Sequence, residues 1–224
     1  MKIGKEAFAT LAVLAFIALM AFVERTLAPA YWLKSLAKAS AILLILGICA
    51  AAYQISWREA VYYRKMKPAK ALYLLIAATL AVLALTFLLT RNYLDLASIR
   101  RNLTAKERLT KENCLFVFAY IATVNSFLEE AFFRGFLYHA FAERGGKAAA
   151  LAFSSCAFAA YHIGIVDGWL NPGLLALCVA GLTVAGVFLQ LVCERYGSVK
   201  ASWLVHGCAN LAIDALGVLL IFFY

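Results

Sequence analysis

Apolar runs of near-bilayer length alternate with short polar connections along the whole chain. They cover about residues 7–23, 36–55, 71–90, 114–141, 148–166, 173–192 and 201–224. A hydrocarbon core takes roughly 20 helical residues to cross, so each run predicts a membrane span. The expected fold class is all-α: a polytopic transmembrane helical bundle of about seven to eight spans. Residues 1–113 would supply the N-terminal spans and a polar segment, and residues 114–224 the helical core of the same single membrane domain.

The connections refine this picture. Lys2 and Lys5 ahead of the first apolar run faintly resemble a signal peptide, but Glu24 and Arg25 interrupt the cleavage region. That run is read as a retained span. A basic connection with Arg58, Arg64, Lys65, Lys67, Pro68 and Lys70 separates the second run from the third. Residues 91–113 form the long polar stretch, where Leu94, Ile99 and Leu103 interleave with Arg100, Arg101, Lys106, Arg108 and Lys111. This predicts an amphipathic helix lying on the membrane, with a solvated loop as the alternative. Gly145-Gly146 marks a tight turn after the fourth run. The connection from Asp167 to Pro172 would lie at the opposite end of the spans. Basic residues in alternate connections favour, by a small margin, an inside N-terminus.

The chain is 65% hydrophobic with 15% charged residues, well above the roughly 45–50% apolar content of soluble domains. Its net charge of +9 sits in the connections, where it serves topology and lipid headgroups rather than nucleic acid. The expectation is an integral, multi-pass membrane protein in contact with the lipid bilayer, in the cell's inner or plasma membrane if prokaryotic. Six cysteines, Cys49, Cys114, Cys156, Cys178, Cys193 and Cys208, lie in or beside apolar runs without CxxC spacing. They predict neither a disulfide framework nor a thiolate metal site.

Chemistry enters in the fourth run, at Ser126-Phe127-Leu128-Glu129-Glu130-Ala131-Phe132-Phe133-Arg134-Gly135. Ionisable groups at bilayer depth are costly and mark function by default. Glu130 and Arg134, four apart on a helix, share a face and can pair. Glu129 points roughly 100° away and is left free for chemistry. The bland alternative is a buried Glu–Arg clamp tying helices together.

The depth of the other polar groups sharpens the case. Glu129 lies about sixteen residues before the Gly145-Gly146 turn and His162 about sixteen after it. At 1.5 Å per residue both sit roughly 24 Å from the turn, on opposite arms of a hairpin. His206 and Asn210 share a face of the seventh span, which enters from the same end. Four polar groups can therefore converge near the midplane. His139, near the end of the fourth span, is expected at the interface.

A carboxylate beside a histidine can deprotonate water, and a histidine and an amide on one face can donate to an oxyanion. Together they suit amide hydrolysis inside the membrane, with no cofactor. Ser155 shares a face with His162, but no Ser or Cys sits clearly beside a base as a nucleophile.

The ordered set Glu129-Glu130-xxx-Arg134-Gly135, Phe158-xxx-His162 and His206-xxx-Asn210 resembles the CAAX prenyl endopeptidase family, the CAAX protease and bacteriocin-processing enzymes. The resemblance covers about residues 115–214. It implies a glutamic-type intramembrane protease in which Glu129 and His162 activate water. His206 and Asn210 would form the oxyanion hole, and Glu130 and Arg134 would support them. It also implies about eight membrane segments and a membrane-associated protein or peptide as substrate, with or without a prenyl group. Two alternatives stay open. One is a zinc protease with Glu129, His162 and His206 as ligands; the other is a non-catalytic scaffold or immunity protein on the same fold.

Overall fold

A computed structural model describes residues 4–67, 70–166 and 168–223; Lys2, Pro68, Asp167 and Tyr224 lie outside them. Helix is the regular structure throughout the described residues. Among the described residues, seven helices are long and apolar enough to span a membrane: α1 (Lys5–Leu27), α2 (Tyr31–Tyr53), α3 (Lys70–Tyr93), α4 (Cys114–Glu143), α5 (Lys147–Val166), α6 (Pro172–Tyr196) and α7 (Val199–Phe223). The protein is a multi-pass integral membrane protein.

Local chemistry sets the boundaries. α1 ends where Ala28 turns left-handed ahead of Pro29, a residue whose ring cannot continue a helix. α6 starts with Asn171 Oδ1 accepting Leu174 N–H at 3.0 Å and Pro172 in the first turn, a favoured start. It stops at Gly197, φ 72°, whose N–H donates to Cys193 O.

α4 is the centre of the bundle. Its Phe132, Phe133, Phe136 and Leu137 are buried against Phe16 and Met20 of α1, Ile42 and Leu46 of α2, and Phe158 and Tyr161 of α5. Phe16 contacts both Phe132 and Tyr161, with ring centroids 4.9 and 5.3 Å apart. Lipid is as apolar as these rings, so close packing rather than water exclusion holds such helices together. Small residues permit it. A Cβ on Gly135 would collide with the Val61 backbone, and one on Gly207 of α7 with Ala122 O of α4.

α4 is also irregular. Two π-helical stretches, Ile121–Asn125 and Ala131–Leu137, flank the α-helical turn Ser126–Glu130. Such bulges turn carbonyls away from the regular ladder and favour functional sites. Here Trp203 Nε1 donates to Thr123 O at 2.8 Å and Ser154 Oγ to Phe133 O at 2.7 Å. Neighbouring helices thus satisfy the displaced backbone.

α3 is peripheral; of its residues only Leu72 is buried, in a cluster with Val205 of α7. The stretch after it is helical without interruption from Leu96 to Lys106. It runs as the α-helical Leu96–Arg101 and then the π turn Asn102–Lys106. Leu103 and Leu109 turn their apolar side to Phe118, Leu220 and Ile221. Arg100 Nε donates to Leu220 O at 3.1 Å, near the end of α7, where backbone carbonyls lack helical partners.

Contacts group the connections by end. Lys5 Nζ lies 2.9 Å from Glu143 Oε1, Lys147 Nζ 3.9 Å from Glu194 Oε2, and Val199 N–H donates to Tyr62 O. The N-terminus, the Gly145-Gly146 turn, the Gly197-Ser198 link and the basic connection therefore share one end. Trp169 packs with Leu103 and Phe118 at the other.

Candidate active site

The turn Ser126–Glu130 aims two adjacent carboxylates into the protein, Glu129 2% exposed and Glu130 fully buried. Successive helical residues point about 100° apart, so each meets different neighbours.

Glu130 meets Arg134 and His206. Arg134 Nη1 lies 3.3 Å from Glu130 Oε1, and the guanidinium sits over the Phe158 ring, 4.0 Å from its centroid. Neither Nη of Arg134 forms an aligned hydrogen bond among the described residues. The pair is therefore a charge contact whose orientation is set by the aromatic face. His206 Nδ1 is 2.9 Å from the same Glu130 oxygen.

Glu129 divides its two oxygens. Oε1 accepts from Lys38 Nζ at 3.1 Å and Asn125 Nδ2 at 3.0 Å, and Lys38 also donates to Asn125 Oδ1. Oε2 faces both imidazoles, with His206 Nε2 at 3.8 Å and His162 Nε2 at 3.9 Å. These separations exceed a hydrogen bond but suit one water touching both partners.

The imidazole tautomers follow from their other nitrogens. His162 Nδ1 is 2.8 Å from Phe158 O; a carbonyl can only accept, so this nitrogen carries the hydrogen. In the neutral ring Nε2 is then a lone pair aimed at Glu129. In His206 the Glu130 carboxylate likewise accepts from Nδ1–H.

Asn210 stands apart. One turn beyond His206 on α7, it donates from Nδ2 to Ile121 O at 3.4 Å rather than to the other candidate residues. Ser155 faces α6, where its Cβ lies 2.9 Å from the position a Cβ on Gly186 would take. His139 stacks on Tyr62 with centroids 3.9 Å apart, near Glu194. Among the described residues no three His, Cys, Asp or Glu side chains are arranged to hold a metal ion.

Two of these residues escape the sequence reading, and one expectation needs correcting. Glu129 is not free, because Lys38 and Asn125 hold it. Both carried a readable signal. Lys38 is the one charge in the apolar run 36–55, and Asn125 lies four residues before Glu129, so the two share a face.

A second buried charge cluster lies one turn earlier on α2. Lys34 Nζ is 2.7 Å from Glu24 Oε2 and 2.9 Å from Glu107 Oε1. Glu107 lies outside the spans; burial pushes its carboxyl up, and Lys34 partly offsets this.

Residues 111–212 match the family model for the type II CAAX prenyl endopeptidases, Rce1-like. That stretch, under half of the chain, is similar to the CAAX protease family. The matched segment carries Glu129, Glu130, Arg134, His162, His206 and Asn210. Lys38 and the N-terminal helices lie outside that segment. Neither the curated proteins nor the solved structures gave a match to the chain.

Proposed function

We propose that the protein is a CAAX-type intramembrane protease that hydrolyses a peptide bond in a membrane-associated protein or peptide by direct attack of water, with Glu129 as general base. The observation that carries this reading is the division of labour at Glu129. One oxygen is tied to Lys38 and Asn125, while the other faces His162 Nε2 and His206 Nε2 at 3.9 and 3.8 Å.

In this mechanism a water donates one hydrogen to Glu129 Oε2 and the other to the His162 Nε2 lone pair. Transfer of the first proton to Glu129 leaves the oxygen nucleophilic as it attacks the scissile carbonyl. A positioned base of this kind contributes on the order of 10²–10⁴ in rate. The tetrahedral oxyanion takes hydrogen bonds from His206 and Asn210. His206 donates from Nε2 as imidazolium, with its Nδ1–H serving Glu130. Collapse returns the Glu129 proton to the leaving amine, which completes the balance without a covalent intermediate.

Residues 1–113 then act as a scaffold for the catalytic helices 114–224 within one membrane domain. The family name points to C-terminal CAAX tails as the substrate class.

The zinc alternative uses the same three side chains. Lys38 speaks against it, since an ammonium 3.1 Å from Glu129 repels a second cation there. The test is turnover of prenylated and unprenylated CAAX peptides by purified protein in liposomes, with and without chelator, alongside His162→Gln. Chelator-resistant cleavage that falls at least about 10²-fold in His162→Gln is expected. Chelator-sensitive cleavage would overturn the water-and-glutamate mechanism in favour of the metal.

A further inference from the structure

We infer that Lys38 of α2, outside the family-matched segment, is a positioning residue of the catalytic centre: with Asn125 it fixes one Glu129 oxygen so that the other faces the two imidazoles. The inference rests on the reading of Glu129 as general base.

The geometry leaves Lys38 little freedom. Its stem lies on the α2 face that buries Ile42 and Leu46, at four-residue spacing. Its ammonium sits 5.1 Å from the centroid of the buried Tyr161 ring, within cation–π range. Its hydrogen bonds go to Glu129 Oε1 and Asn125 Oδ1. Asn125 closes the triangle by donating to the same Glu129 oxygen. An ammonium has three donors and no acceptor. Two carboxyl or amide oxygens take two of these, and the Tyr161 ring lies beside the ammonium.

The charges balance in pairs. Glu130 lies against Arg134, and Glu129 against Lys38. Neither histidine is therefore needed as a standing counter-ion for Glu129, and His162 can keep a free lone pair. Without Lys38 the carboxylate would be buried with no full charge opposite it. It would then draw a proton or pull an imidazolium against itself, and either outcome removes the base from its place. The catalytic half thus depends on a cation that the N-terminal half supplies.

The test compares Lys38→Met, Lys38→Arg, Glu129→Gln and the double variant Lys38→Met/Glu129→Gln in proteoliposomes. Lys38→Met is expected to lower kcat at least tenfold with KM unchanged, and Lys38→Arg to recover most of that loss. Each neutral single variant should also melt lower, because it strands one buried charge. The double variant should melt higher than either, because it strands none. A structural lysine would instead give additive losses of Tm and no rescue by arginine. If Lys38→Met does not fold, recovery of folding in the double variant supports the pairing, and failure to recover overturns it. Additive Tm losses, or a kcat for Lys38→Met within twofold of the unaltered protein, would overturn the inference. Full activity of Glu129→Gln with coupled Tm values would instead reject the general-base reading while leaving the ion pair intact.

Discussion

His206 Nδ1 lies 2.9 Å from Glu130 Oε1, so one carboxylate orients the imidazole that faces the other. Glu130 therefore does more than neutralise Arg134. It fixes which His206 nitrogen points at Glu129, as carboxylates behind catalytic histidines commonly do. Glu130→Gln keeps the size but loses the carboxylate that accepts from His206 Nδ1–H. Its kcat is expected to fall by about 10²-fold or more with KM little changed, measured by steady-state cleavage. Activity within threefold would show that His206 is oriented by something else.

Arg134 is buried with Glu130 as its ionic partner and the Phe158 ring beneath it. Removing one member of a buried pair leaves an uncompensated charge, typically a loss of about 3–5 kcal/mol. Arg134→Ala should give lower folded yield and lower thermal stability in detergent, as well as lower activity. Unchanged melting would contradict the clamp.

Asn210 donates to Ile121 O at a long 3.4 Å, a weak bond for an amide to give up. If it turns to the oxyanion as charge develops, Asn210→Ala costs on the order of 10²–10³ in kcat, the scale of one lost oxyanion donor. Loss of a bond made only in the transition state leaves KM nearly unchanged. A purely structural role for the Ile121 contact would show instead as a lower Tm with normal kcat.

Gly135 approaches Val61 so closely that an added Cβ would meet its carbonyl. The substitution Gly135→Ala must push the connection after α2 away from α4, and overpacking of this kind costs typically about 1–3 kcal/mol. A stability loss in that range by chemical denaturation in detergent is expected. Unaltered stability would mean that the contact gives way freely.

Much of this was legible in the chain because membrane helices announce themselves by length and polarity. The seven apolar runs match the seven spans closely, and the equal distances of Glu129 and His162 from Gly145-Gly146 correctly put them face to face. Glu130 and Arg134 met as four-residue spacing requires. What stayed hidden were pairings across helices, which no spacing within one segment encodes. Lys38 could be seen as a cation inside an apolar run, but its partner lies 91 residues away. The polar stretch 91–113 hid its packing partners for a related reason. Its interleaved leucines suit a lipid surface and a protein surface equally, and Phe118 and Leu220 supply the latter. The π turns around Ser126–Glu130 left no mark in the residue pattern, since they depend on donors such as Trp203 and Ser154 from other helices.

The general-base role of Glu129 is tested most directly by single-turnover cleavage with Glu129→Gln, which keeps the side-chain shape and both contacts on the Lys38 side but cannot take a proton. The account predicts a folded protein that binds its peptide normally and cleaves it at least about 10²-fold more slowly. Cleavage by Glu129→Gln at a rate near that of the unaltered protein would contradict it.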